Sequence, residues 1–173
     1  MSTSTPYVKT NFFSTPSWKV LVLFIAACWL APNMNAQVMR TLPAGGPFAT
    51  LQAAIDDAGT VGGSVLTLTA NLSEGLVTVN KAVTIDGAGF SLNSTSPNWG
   101  INVSVAGITI QNITVTAAPT FGIITSCNAD NLTVSNTTVT GCGGSGFALN
   151  GSDNLSLTNI TSTNNTGNGV SIT

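Results

Sequence analysis

Four short segments with the pattern apolar, polar, apolar recur along this chain of 173 residues at a nearly fixed interval. Val83-Thr-Ile85, Ile108-Thr-Ile110, Leu132-Thr-Val134 and Leu155-Ser-Leu157 begin 25, 24 and 23 residues apart (108 − 83, 132 − 108, 155 − 132). A second series keeps the same beat: Gly100-Ile-Asn-Val103, Gly122-Ile-Ile-Thr125, Gly146-Phe-Ala-Leu149 and Gly169-Val-Ser-Ile172. Between the two lie Phe90-Ser-Leu92, Ile113-Thr-Val115, Thr137-Thr-Val139 and Ile160-Thr-Ser162. A repeat of this length marks a unit that stacks on copies of itself, because no single copy can bury its own apolar face. Three strands joined by turns make one triangular coil. The sequence therefore predicts an all-β parallel solenoid with coils of about 22–25 residues.

Successive side chains of a strand point to opposite faces, so alternation assigns the core. Ile108, Ile110, Ile113, Val115, Ile123 and Cys127 are expected inside, with Leu132, Val134, Val139, Phe147 and Leu149 above them in the next coil. Thr109, Thr133 and Ser156 are expected outside. Asn112, Asn136 and Asn159 each stand two residues after the last apolar residue of a first strand, at a tight turn, with Gly87 in the same place one coil earlier. Asn tolerates the left-handed conformation of sharp turns, and stacked Asn amides hydrogen-bond to one another. This pattern resembles the asparagine ladder of the pectate-lyase superfamily, and the resemblance implies a right-handed parallel β-helix.

The beginning of the repeat region fits that expectation. In Pro47-Phe-Ala-Thr-Leu-Gln-Ala-Ala-Ile-Asp-Asp-Ala58, residues Phe48, Leu51, Ala54, Ile55 and Ala58 share one helical face, and Gly59 ends the run. A helix here would cap the open end of the solenoid. Together with Gly62-Gly63-Ser-Val-Leu-Thr-Leu68 and Lys81-Ala-Val-Thr-Ile-Asp-Gly-Ala-Gly89, the segment is similar to the opening of secreted bacterial β-helix proteins, pectin-lyase-like proteins and surface adhesins among them. Residues 37–63 are expected to hold the capping helix and 64–173 the coils. Thr173 directly follows an apolar strand with no cap in view, so the solenoid is expected to be incomplete or to dock its last coil on a partner.

Residues 1–36 read as an export signal. Lys9 and Lys19 precede the apolar run Val20–Ala31, which is too short for an ordinary membrane span, and cleavage is expected after Ala36. Ile25-Ala-Ala-Cys28 leaves open a lipoprotein reading in which Cys28 is lipidated, and an uncleaved anchor is a third reading. A secreted or cell-surface location follows, with membrane association only through Cys28 or an uncleaved signal. Without the signal, Arg40 and Lys81 stand against Asp56, Asp57, Glu74, Asp86, Asp130 and Asp153, a net charge of 2 − 6 = −4. Such a balance argues against a nucleic-acid partner, whose phosphates need a basic surface.

Catalytic groups are scarce. Resemblance to pectate lyases implies an Arg or Lys base with carboxylate-held Ca²⁺, and to polygalacturonases clustered Asp with His and Lys. The chain has no His, and neither set is present. No catalytic residue is therefore assigned, and an active site beyond residue 173 is the alternative to a non-catalytic module. No cofactor is expected beyond a weak Ca²⁺ candidate at Asp130 and Asp153, which the register stacks roughly 5 Å apart. Solvated turn residues and a glycosidase carboxylate pair are the other readings of those two.

Two surfaces are candidates for ligand. Trp99 and Phe121 precede aligned glycines beside the Pro-containing loops 94–98 and 117–120, where aromatic faces suit sugar rings and equally suit covering the corner of the core. Thr114 and Thr116, Thr138 and Thr140, and Thr161 and Thr163 align on one outer face, an array that resembles ice-binding solenoids but is also the ordinary choice for a solvated β surface, and Ser91 and Asn93 break it one coil earlier. The leading expectation is a carbohydrate-associated or adhesive module acting on extracellular polysaccharide or surface glycan. The sequon matches Asn131-Leu-Thr133 and Asn159-Ile-Thr161 follow from the repeat's own building blocks, and a ladder Asn is expected to be too enclosed for glycosylation. Cys127 and Cys142 occupy different places in their coils and are expected to stay unbridged.

Overall fold

The computed structural model describes residues 39–42, by their backbone, and 48–173. The expected export signal at 1–36 and Cys28 lie outside the described residues. Among the described residues no helix is long and apolar enough to cross a membrane. Gln37–Thr173 form one compact unit.

That unit is a stack of five coils whose strand pairs are all parallel. Strand β1 (Met39–Leu42) leads in, followed by helix α1 (Leu51–Asp56). The first coil is β2 (Val65–Leu68), β3 (Leu72–Glu74) and β4 (Val77–Val79). The second is β5 (Thr84–Asp86), β6 (Ser91–Ser94) and β7 (Trp99–Val103), and the third β8 (Thr109–Gln111), β9 (Thr114–Thr116) and β10 (Phe121–Thr125). In the fourth and fifth coils the first two strands run together through the ladder Asn, giving β11 (Thr133–Thr140) and β13 (Ser156–Thr163), followed by β12 (Phe147–Leu149) and β14 (Val170–Ile172). The sequence expectation separated these strands. Pairing between these two coils continues on both sides of Asn136 and Asn159, whereas the equally left-handed Asn112 leaves β8 and β9 separate.

Register is the one that alternation predicts. Ile85, Ile110 and Val134 stack in one column, Leu92, Val115 and Val139 in a second, and Val103 and Thr125 with Leu149 in a third. The predicted inward residues Ile108, Ile110, Val115, Ile123, Leu132, Val134, Val139, Phe147 and Leu149 are fully buried. Each full burial of such a side chain contributes about 1.5–3 kcal/mol. The aligned glycines serve a close approach: a Cβ on Gly122 would lie 2.8 Å from the Gly146 carbonyl oxygen and 3.1 Å from Cys142 Sγ. At this corner only backbone fits between the second and third faces of adjacent coils.

Cys127 departs from the prediction. It is exposed, whereas Cys142 is buried, and both are free thiols. The third strand stops at Thr125, which places Cys127 on the following turn, while Gly141 (φ 71°) turns the chain so that Cys142 enters the corner beneath Gly122. Burial pushes the Cys142 thiol up, against the opposing pull of its contact with the Ala118 backbone.

Helix α1 is shorter than its apolar pattern. Leu51, Ala54 and Ile55 are fully buried and Phe48 packs against the core, but Ala58 is exposed and belongs to the turn beyond the helix. Thr50 is the N-cap, its Oγ1 accepting from Ala53 N at 3.1 Å, and Asp57 Oδ1 accepts from Gly59 N at 2.9 Å, which closes the turn. The helix is fastened to the first coil by side chains. Glu74 of β3 accepts from Leu51 N (2.9 Å) and Gln52 N (3.2 Å). Gln52 behaves as a substitute strand against β4, which is the edge of its sheet: its Oε1 accepts from Thr78 N (2.6 Å) and its Nε2 donates to Thr78 O (3.4 Å). Edge groups that would otherwise be open to pairing are thus occupied.

Candidate functional site

The bend between the first and second strands of each coil is made by a residue with positive φ. Asn112 (52°), Asn136 (48°) and Asn159 (49°) hold this place. Their amides form a directed chain: Asn159 Nδ2 donates to Asn136 Oδ1 at 2.8 Å, Asn136 Nδ2 to Asn112 Oδ1 at 3.1 Å, and Asn112 Nδ2 to Asp86 Oδ1 at 3.0 Å. Asp86 is why every amide faces the same way. A carboxylate only accepts, so the Asn112 Nδ2 must turn toward it and each later rung copies that orientation.

Gly87 is in register with Asn112, as the sequence implies, but it does not make the left-handed bend. Two extra residues stand between Asp86 and Ser91 compared with Gln111 and Thr114, and Ala88 (φ 49°) takes that conformation instead. Gly87 is required for another reason, since a Cβ there would come within 2.5 Å of the Asn112 carbonyl oxygen. The ladder also lies on the outside: Asn136 and Asn159 are exposed and Asn112 is half-buried, so the expected enclosure is corrected. The bend opens the outer side of the corner, and the amides fill that side rather than the core.

What results is a groove of about 450 Å³. The Ala88–Gly89 turn forms one end, and Asn112, Asn136, Ile113, Thr114 and Thr138 line it. Of the predicted threonine array, Thr114 and Thr138 are in register with each other and with Thr161, and Thr116 with Thr140 and Thr163. The two columns differ chemically. In the outer one the side chains bond to each other, Thr163 to Thr140 (3.3 Å) and, in the lower coils, Thr116 to Asn93 (3.1 Å) and Asn93 to Ser73 (3.1 Å). Among the described residues the hydroxyls of Thr114 and Thr138 have no hydrogen-bond partner, and each ladder amide uses one of its two N–H groups. Unspent neutral donors and acceptors therefore gather in the groove.

The remaining candidates stand elsewhere. Trp99 and Phe121 are register partners, both half-buried, at the start of the third face. A Cβ on Gly144 would be 3.5 Å from Phe121 Cε1, so that ring rests on the turn of the next coil. Thr116 and Thr140 lie on the same outer face as the groove but do not line it. Asp130 and Asp153 are brought together as the register requires, with Asp130 Oδ1 accepting from the Asp153 N–H at 2.8 Å, a bond that staples successive turns. Beside them Asn131 and Asn154, both at φ 56°, form a further ladder step of 3.3 Å. Among the described residues no three His, Cys, Asp or Glu side chains gather as a metal-binding group.

Sequence reasoning missed Asp86 and Gln111 as partners of the ladder. The carboxylate of Asp86 also accepts from Ala88 N (2.9 Å) and from Gln111 Nε2 (3.0 Å). The signal was present, since Asp86 stands beside Gly87 at the place where the Asn series stops. Burial pushes its carboxyl up, but hydrogen bonds from Asn112, Ala88 and Gln111 outweigh this and hold it below the ordinary value.

Comparison with known proteins gives a match to the family described as the right handed beta helix region, over residues 55–173. No curated protein and no solved structure matches the chain. Since the matched span runs from within α1 through the last coil, in agreement with the stacked parallel register and the pectate-lyase-like ladder, the chain belongs to the right-handed β-helix family.

Proposed function

We propose that this chain is a non-catalytic, exported β-helix module that binds carbohydrate in the groove along its asparagine ladder. The observation that carries the reading is the contrast between the two threonine columns. Each outer-column threonine has a side-chain partner, whereas Thr114, Thr138 and the rungs Asn112 and Asn136 keep hydrogen-bonding capacity in a concave surface lined by uncharged residues. Sugars present many hydroxyls, and pockets that hold them offer a few oriented polar groups of this kind. Coils about 4.8 Å apart repeat these groups along the axis, which favours an extended polymer over a compact ligand.

Ice binding draws less support, because the outer-column hydroxyls that would order water already bond to side chains of neighbouring coils. Glycan-array binding tests the proposal. Retention of a polysaccharide without formation of shortened or unsaturated products, abolished by Thr138→Tyr in the groove, is the expected result. Product formation, or binding indifferent to Thr138→Tyr, would overturn it.

A further inference from the structure

Resting on that reading of the groove, we propose that the site selects neutral polysaccharide against uronate-type anionic chains, and that Asp86 is the residue that sets the preference. Asp86 stands at the head of the ladder, next to the Ala88–Gly89 turn that ends the groove. Three donors fix its carboxylate there: Asn112 Nδ2 at 3.0 Å, Gln111 Nε2 at 3.0 Å and Ala88 N at 2.9 Å. These bonds also keep the group ionised into the acid range, since together they hold it below its ordinary value.

No described cation offsets it. Among the described side chains Lys81 is the one cation, and its Nζ donates to Asp57 O at 2.8 Å behind α1. A polyuronate carries one negative charge on each sugar. Drawing it into the groove would set those charges beside a fixed carboxylate while stripping water from both, a cost with no compensating pair. A neutral chain meets the ladder amides and the threonine hydroxyls. Selectivity here comes from an unfavourable contact with the wrong ligand rather than a special contact with the right one.

The test compares the full chain's affinity for neutral β-linked glucan, galactan and mannan hexasaccharides with its affinity for hexagalacturonate, in chelator and at low salt so that no divalent ion bridges the carboxylates. The expected result is at least about tenfold weaker uronate binding, with the gap shrinking about threefold or more in Asp86→Asn and again in wild type as salt is raised to roughly 0.5 M. Uronate bound as tightly as the neutral chains and lost in Thr138→Tyr would overturn the inference and leave the glycan reading standing. A gap insensitive to both Asp86→Asn and salt would remove Asp86 from its role. Absence of binding to any hexasaccharide would overturn the glycan reading and this inference with it.

Discussion

Asn136 combines two demands that few residues meet together. Its backbone sits at φ 48°, where an ordinary side chain crowds the following carbonyl, and its amide is donor to one coil and acceptor from the next. Replacement by Ala keeps the strained backbone and deletes both rungs. A loss of about 2 kcal/mol in chemical denaturation is expected, shared between the left-handed penalty and two partly exposed hydrogen bonds. Asn136→Gly removes the penalty and still deletes the rungs, so it should lose about 1 kcal/mol less than the Ala variant. Equal losses in the two variants would mean that the bend is not left-handed at this position. The residue type at this place was legible in the sequence because it recurs at the coil period. Its direction of exposure was not: a turn residue with positive φ breaks the in-out alternation, and whether its side chain falls inside or outside the corner depends on the bend angle.

At the scale of the element, α1 shows where pattern reasoning stops. Spacing of apolar residues identified Leu51, Ala54 and Ile55 as its buried face but extended that face to Ala58, because periodicity says nothing about where side-chain caps end a helix. The groups that fasten it, Glu74 and Gln52, lie in different elements or carry no apolar signal, and only the coil geometry brings them together. The first coil was harder to read than the later ones for a related reason. Val65 precedes its partner Thr84 by 19 residues (84 − 65), outside the period set by the rest of the repeat. Docking of α1 should depend on pH through Glu74. Burial pushes its carboxyl above the ordinary value of 4.5, against the Leu51 and Gln52 N–H groups that pull it down. A raised folded-state value means that the contribution to stability is fully present below about pH 4.5 and is lost as pH rises through the folded value. The difference in Tm between wild type and Glu74→Gln is therefore expected to fall as pH rises above about 4.5. A difference that grew over that range would contradict the assignment.

For the molecule as a whole, the repeat alone led to the solenoid, because a strict period with alternating apolar positions leaves few other ways to bury a core. It could not lead to the groove. That surface depends on a two-residue difference between turns, on the outward disposition of the ladder, and on which of two threonine columns is already satisfied, none of which a period encodes. The aromatic pair Trp99 and Phe121 drew attention in the sequence for its chemistry, yet it stands at a separate corner with one ring laid on the next coil. The most direct test of the groove is an NMR titration with a neutral oligosaccharide that follows side-chain amide and indole signals together. The account predicts that the Asn112 and Asn136 amides shift with ligand while the Trp99 indole stays still; a moving indole beside unperturbed ladder amides would contradict it.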